Sequence, residues 1–124
     1  MAKRSSINAR SKVAENRVSK YLWGELRDWK ELHDISGRDF NDNIWYGEVK
    51  NWAWARGPAK LYSILKNAYA QLENVKSGNL FVVFLPVHSS VEDAIVYRKD
   101  RGRFIMEFLN EFKDCIISGN LQEG

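Results

Sequence analysis

The feature that most constrains this chain is an unbroken apolar run from Leu80 to Leu85. Successive side chains of a strand point to opposite faces, so this run predicts a strand that is hydrophobic on both faces. Such a strand is stable at the centre of a sheet that is covered above and below. The sequence therefore predicts an α/β fold in which helices flank both faces of a mixed β-sheet.

Periodicity along the rest of the chain supplies those layers. The predicted elements, in order, are helix 7–22, strand 29–32, strand 44–50, helix 58–75, strand 80–85, strand 94–98 and a last helix over 104–116. The stretch 33–39 is predicted as a polar loop. Helix 58–75 carries an apolar stripe made of Leu61, Ile64, Leu65, Ala68, Leu72 and Val75. We expect it to be a right-handed crossover between two parallel strands.

The 124 residues are expected to form one domain, 1–124, with a flexible basic arm at 1–6 and a frayed tail at 118–124. Cys115 is the only cysteine, so no intrachain disulfide can form, and a reducing cytoplasm is the expected location. We expect neither a secretory signal nor a membrane partner, because no apolar run is long enough. One cysteine and two histidines exclude the familiar zinc clusters, which leaves oxygen ligands for any metal.

Positive charge is concentrated near the N-terminus. The first twenty residues contain six cations against one acid, Glu15; the cations are Lys3, Arg4, Arg10, Lys12, Arg17 and Lys20. Arg10 and Arg17 are two helical turns apart, so a helix presents both on one flank. A basic helix on a slightly acidic body predicts a polyanionic partner such as DNA, and a solubilising terminus is the alternative.

Strand 44–50 carries two charges in an unusual place. Alternation places Glu48 and Lys50 on one face with Tyr46, while Val49 points to the other. If helices cover both sides of the sheet, this carboxylate and this ammonium lie at a partly buried strand end, where unpaired charge is costly. Charge in such a place commonly binds a ligand, often a metal ion. The alternative is an ordinary ion pair on a solvated strand.

A second carboxylate, Asp39, precedes Glu48 across a short turn. A hairpin-like return would bring both acids to one ion. With the Val49 carbonyl they would hold Mg²⁺, which prefers oxygen ligands, and Mn²⁺ is expected to substitute. The Lys50 ammonium would orient a water molecule or offset negative charge on a phosphate. These residue types predict metal-assisted hydrolysis of a phosphodiester.

Five parts of the sequence follow one another in an order found in a nuclease superfamily. They are the basic first helix with Glu15, the Ser36-Gly37-Arg38-Asp39 loop, the Glu48-Val49-Lys50 strand with Asn51-Trp52, the helix carrying Gln71, and the apolar strand Leu80–Leu85. In this order they resemble the PD-(D/E)xK nucleases, and among them the small Holliday-junction-resolvase-like nucleases often encoded by phages. The resemblance implies a restriction-endonuclease-like three-layer sandwich. It also implies a homodimer, because two strands of a junction are cut symmetrically.

The resemblance also implies roles for individual residues. Asp39, Glu48 and Lys50 match the catalytic positions, and Glu15 matches an acid of the first helix that holds or positions metal. Gln71 looks like the helix glutamine of exonuclease-like branches.

Two departures from the family pattern concern the first aspartate. Arg38 stands before Asp39 where many members have proline. Asp34 and Asp42 compete for the same role, and the spacing to Glu48 favours Asp39.

The function expected from these features is a Mg²⁺-dependent endonuclease acting on branched or structured DNA. Phosphate contacts are expected from Lys3, Arg4, Arg10, Lys12 and Arg17. The Trp52 indole would either stack on an unpaired base or pack beneath the following helix. The alternatives are a nuclease of the same superfamily that acts on linear ends or as a restriction-type enzyme, and a DNA-binding protein without catalysis.

Overall fold

The computed structural model describes the backbone of residues 2–24, 35–51 and 58–118, and the side chains of 12–24, 35–51 and 59–117. The helices in these ranges are α1 (Ala2–Trp23), α2 (Pro58–Val75) and α3 (Leu109–Ser118). The strands are β1 (Ile35–Arg38), β2 (Ile44–Lys50), β3 (Asn79–Phe84), β4 (Ile95–Asp100) and β5 (Arg103–Phe108). A short 3-10 helix, Val91–Asp93, lies between β3 and β4.

The five strands form one mixed sheet in the order β1-β2-β3-β4-β5. β2 and β3 run parallel, with Lys50 opposite Phe84, and the other neighbouring strands are antiparallel. α2 connects the parallel pair, which cannot be joined by a tight turn. The prediction of an α/β fold with a mixed, helix-flanked sheet is confirmed.

Two hydrophobic clusters lie on opposite faces of this sheet. On one face α1 and α3 pack against it, and the buried residues there include Val18, Leu22, Phe81, Val83 and Phe112. On the other face α2 packs against it, and the buried residues there include Leu65, Leu72, Val82, Phe84 and Tyr97. β3 contributes to both clusters, and each residue from Leu80 to Leu85 is buried. The central strand predicted from the apolar run is therefore confirmed.

The first strand lies later in the chain than predicted. Residues 35–38, predicted as part of a polar loop, form β1, because Ile35 is fully buried and pairs with Gly47 of β2. The predicted strand at 29–32 lies outside the described residues.

The last predicted helix begins too early. Residues 104–108 form β5, and α3 begins at Leu109. Arg101 and Gly102 have positive φ angles of 55° and 81°, the conformation of a two-residue turn that joins antiparallel strands. This turn folds the segment back onto β4, and pairing with β4 selects the strand over the helix.

Three other boundaries also differ from the prediction. α1 begins at Ala2, so residues 2–6 belong to a helix and not to a separate arm. α3 includes Ser118, the first residue of the predicted tail, and 119–124 lie outside the described residues. Val75, predicted in the apolar stripe of α2, is its last residue and is 71% exposed.

Gly47 lets the ring of Phe81 lie against β2. A Cβ at Gly47 would overlap this buried ring, which packs on Trp45 and Phe112. We expect Gly47→Ala to lower the free energy of unfolding by about 1–3 kcal/mol, because the ring must move. Urea denaturation followed by tryptophan fluorescence measures this loss. Ser36→Ala, at an exposed position of β1, is the control, and an equal loss in both variants would contradict the packing argument.

Candidate active site at the end of strand β2

A carboxylate and an ammonium lie side by side near the C-terminal end of β2. Lys50 Nζ is 3.1 Å from Glu48 Oε1, and the two side chains are 21% and 20% exposed. Trp45 and Val49, which alternate with them, are buried in the cluster beneath α1 and α3. Glu48 and Lys50 therefore project from the face that α2 covers. Both are screened from water by more than three quarters of their surface, which an exposed strand would not provide.

The backbone at this end of β2 directs one carbonyl away from β3. The Lys50 carbonyl accepts a hydrogen bond from the Leu85 N–H at 2.8 Å, so it points toward β3. Since successive residues of a strand direct their backbone groups to opposite sides, the Val49 carbonyl points toward the side of β1. The described part of β1 begins at Ile35, which is opposite Gly47, so it does not extend alongside Val49. The Val49 oxygen therefore lies at the same strand end as the ion pair.

Asn51 ties this strand end to the chain that leaves β3. Its side-chain amide donates to the Leu85 carbonyl at 3.0 Å, next to the Lys50–Leu85 backbone bond. Sequence reasoning did not assign this role. The only available signal was an amide residue directly after a strand, which is too common to indicate a position.

Asp39 closes the turn between β1 and β2. Its carboxylate accepts hydrogen bonds from the backbone N–H groups of Asn41 and Asn43 at 2.9 and 3.0 Å, and from the Trp45 indole at 2.9 Å. Trp45 lies on the face covered by α1 and α3. Glu48 projects from the other face, four residues beyond the start of β2 and thus about 13 Å along the strand. The prediction that Asp39 and Glu48 share one ion is therefore wrong. Hydrogen bonds fix the Asp39 carboxylate in the turn, whereas Glu48 lies further along β2 on the opposite face of the sheet.

The two competing aspartates have different positions in the chain. Asp42 lies in the same turn with a φ of 66° and an 81% exposed side chain, 3.6 Å from Arg38. It is thus at the far end of β2 from the ion pair. Asp34 lies outside the described residues. In the sequence it directly precedes Ile35, the partner of Gly47.

Glu15 is buried in α1, with 6% of its surface exposed. The Trp23 indole donates to the Arg38 carbonyl at 3.0 Å near the turn, and Arg17 donates to the Ser89 carbonyl at 2.9 Å beyond the end of β3. α1 therefore lies along the sheet, with its C-terminal end near the β1–β2 turn and Arg17 closer to the opposite end of the sheet. Glu15 is eight residues before Trp23, about 12 Å along the helix, so it reaches the end of the sheet where the ion pair lies. It lies in the α1 layer, whereas the ion pair projects on the α2 side.

Gln71 is exposed on α2, near the C-terminal end of that helix. α2 follows the end of β2 and leads to the start of β3, so Gln71 lies toward the opposite end of the sheet from the ion pair. The prediction that it joins the catalytic residues is wrong for this reason. Trp52 lies outside the described residues.

The basic residues of α1 are only partly described. Lys12 is partly buried, and Arg17 is exposed although its guanidinium also anchors the loop at Ser89. The backbone of α1 includes three further predicted DNA-binding residues, whose side chains lie outside the described set: Lys3, Arg4 and Arg10.

The predicted metal ligands are not assembled in the described part of the chain. Among the residues described, no group of three or more His, Cys, Asp or Glu side chains could hold a metal ion. Glu48 and the Val49 carbonyl supply two oxygens at the strand end. Asp39 is held in the turn and Glu15 lies in the other layer.

Comparison of the chain with protein-family models, with curated proteins and with solved structures finds no match. No helix within the described ranges has both the length and the apolar character needed to cross a membrane. The nuclease resemblance therefore rests on the sequence order given above.

Asp39 is expected to stabilise the fold in a pH-dependent way. Partial burial raises the pKa of this carboxyl, but the hydrogen bonds from Trp45 and from the backbone of Asn43 and Asn41 outweigh it, and the pKa is lowered overall. A carboxyl with a lower pKa in the folded state stabilises the fold above its unfolded pKa of about 4. That contribution is lost as the pH falls through the folded value.

We expect Asp39→Ala to lower the free energy of unfolding by about 2 kcal/mol at pH 7, because three hydrogen bonds to a charged acceptor are lost. The effect should shrink below a pH of about 4. Urea titrations at neutral and acid pH measure the difference. Asp42→Asn, at an exposed carboxylate of the same turn, is the control. An effect of Asp39→Ala that did not change with pH would contradict this role.

Proposed function

We propose that this chain is a Mg²⁺-dependent DNA endonuclease that hydrolyses phosphodiester bonds in branched or otherwise structured DNA. The observation that carries the proposal is the pair formed by Glu48 and Lys50, 3.1 Å apart on a strand end where about a fifth of each side chain is exposed. Partly buried charges cost free energy unless they are paired or bind a ligand, and this pair leaves carboxylate oxygen available for a ligand. A carboxylate and an ammonium at one strand end are the residue types that metal-assisted hydrolysis of a phosphodiester uses.

Each group at this strand end has a definite chemical role in the proposal. Glu48 and the Val49 carbonyl are oxygen ligands, and a bound Mg²⁺ would polarise the scissile phosphate and lower the pKa of a water molecule. Lys50 holds its ammonium next to the carboxylate. From there it orients the attacking water or offsets the negative charge that grows on the phosphate in the transition state.

We assign the second carboxylate to Asp34 and not to Asp39. Asp39 is engaged in the turn, whereas Asp34 directly precedes Ile35, which pairs with Gly47, the residue before Glu48. Of the three aspartates considered, Asp34 is thus the one adjacent in sequence to the described β1 residue that lies closest to Glu48.

α1 is the proposed DNA-binding element. Its N-terminal half contains Arg10 and Lys12 and is the half nearer to the end of the sheet where the ion pair lies. Phosphate contacts there would position DNA without reading its sequence. Action on branched DNA by a homodimer follows from the resemblance to junction resolvases, and Trp52 is the candidate to stack on an unpaired base. A nuclease acting on linear ends would use the same residues.

A DNA-binding protein without catalysis is the second candidate. Two observations on the described residues favour it: Glu48 is paired with Lys50, and no cluster of three metal-binding side chains forms. In this alternative the ion pair only stabilises the strand end. Cleavage and metal binding distinguish the two candidates.

Glu48→Gln and Lys50→Ala are expected to reduce cleavage of a labelled four-way junction in Mg²⁺ by about 100-fold or more, because each removes a group used in the transition state. Junction binding, measured by fluorescence anisotropy, should change by less than about threefold. The matched controls Glu73→Gln and Lys99→Ala break an exposed ion pair of 3.4 Å and should cleave normally. Cleavage at the wild-type rate by both Glu48→Gln and Lys50→Ala would contradict the proposed mechanism. Flap, single-stranded and plain duplex substrates in the same gel identify the preferred DNA.

Calorimetric titration with Mg²⁺ or Mn²⁺ tests the ligand assignment. We expect Asp34→Asn to weaken binding by about tenfold or more, because an oxygen ligand is lost, and Asp39→Asn to leave the dissociation constant unchanged. Weaker metal binding by Asp39→Asn, with unchanged metal binding by Asp34→Asn, would assign the second carboxylate to Asp39 instead. Absence of binding by the wild-type protein would favour the non-catalytic candidate.

A further inference from the structure

β5 is an edge strand whose outer side carries hydrogen-bonding groups. It pairs with β4, and no other strand of the described chain pairs with it. The Leu109 N–H donates to the Ala94 carbonyl at 3.0 Å, so these two residues are a hydrogen-bonded pair at the end of the strands. Arg103, opposite Asp100 across the turn, is six residues before Leu109 and therefore has its backbone groups on the same side. Backbone groups alternate in side along a strand, so those of residues 103, 105 and 107 face β4. Those of Phe104, Met106 and Phe108 therefore face outward.

The outward edge is short and has a defined end. The Phe108 N–H donates to Glu111 Oε1 at 3.0 Å, so the first turn of α3 already satisfies this donor. Within the described part of the chain, the N–H and C=O groups of Phe104 and Met106 are left to face a partner. These two residues are symmetric about Ile105.

The side chains of this edge expose apolar surface. Phe104, Met106 and Phe108 are 45%, 52% and 55% exposed, on the face that α2 covers only in part. The Phe104 ring is ordered by stacking on Tyr97, with centroids 4.9 Å apart. A shallow cavity of about 250 Å³ runs beside Met106 and Phe108 and is bounded by Leu61 of α2. An apolar edge strand whose outer side pairs with no described strand favours addition of another strand.

The charges on the other face of β5 are self-complementary. Arg103 is exposed two residues before Ile105, and Glu107 lies two residues after it. Arg98 donates to Glu107, whose side chain is 12% exposed, so this carboxylate is held in place. An antiparallel copy of β5 centred on Ile105 would set each Arg103 opposite the Glu107 of the other chain.

We propose that β5 is a self-association edge at which a second copy of this chain pairs antiparallel, with Ile105 on the two-fold axis. Phe104 and Met106 of one copy then exchange backbone hydrogen bonds with Met106 and Phe104 of the other, which makes one continuous sheet across the dimer. Their apolar side chains meet on the α2 face and the Arg103–Glu107 pairs form on the other. This surface does not depend on the proposed nuclease activity, since the pairing needs neither DNA nor metal.

The oligomeric state tests the surface directly. Light scattering after size exclusion, at micromolar protein without DNA or metal, should give a dimer for the wild-type chain and a monomer for Met106→Lys. The expected rise in the dissociation constant is about 100-fold, because each dimer carries the change twice. Val75→Lys, at an exposed apolar position on α2, is the matched control and should stay dimeric. A monomeric wild-type protein, or a dimer that persists in Met106→Lys, would overturn the proposal.

Two further variants keep the proposal testable if Met106→Lys does not fold. Arg103→Glu places an acid opposite Glu107 and should weaken the dimer by about tenfold. Ile105→Cys, combined with Cys115→Ala, should form a disulfide-linked dimer under a mild oxidant, because residues opposite each other on the axis have Cα atoms about 4.5 Å apart. Val13→Cys in the same background is the control for random cross-linking. A stable dimer without this cross-link would overturn the β5 pairing.

Discussion

Burial of β3 on both faces is the constraint from which the rest of the structure follows. Its apolar residues leave no face for water, so one helical layer must lie above the sheet and another below. Phe81 packs on the α1 and α3 side, and Phe84 packs on the α2 side. β2 is the parallel neighbour of this strand, so Glu48 and Lys50 are carried into a setting where charge is only partly exposed.

The two helical layers cover the sheet unequally, and this has consequences at its β5 side. Two helices lie on one face, while α2 is the one described helix on the other. Aromatic side chains extend the coverage there, because Tyr69 and Tyr97 both contact the Phe104 ring. Met106 lies opposite Tyr97 in the β4–β5 register and nevertheless stays half exposed. The exposed edge is thus a product of the same layering that hides the centre of the sheet.

The ionisable groups divide between the fold and the candidate site according to face and strand end. Arg98 is buried and donates to Glu107, and Asp39 is tied into the turn by three hydrogen bonds. Both contribute to packing and to the geometry of the chain. Glu48 and Lys50 lie instead at a strand end, beside a carbonyl that is directed away from the central strand. Position within the sheet therefore decides which acid is available for chemistry, and spacing along the sequence does not.

Local periodicity alone was enough to predict β3, α2 and the shared face of Glu48 and Lys50, because each depends on burial of a repeating pattern. It was not enough for the residues whose partners form only when the sheet assembles. The spacing from Asp39 to Glu48 allows convergence or separation, and the Trp45 indole decides for separation. The apolar residues at 104–108 fit a helix or a strand, and β4 decides for the strand. Tertiary hydrogen bonds made these choices because they outweigh the small local preferences of short segments.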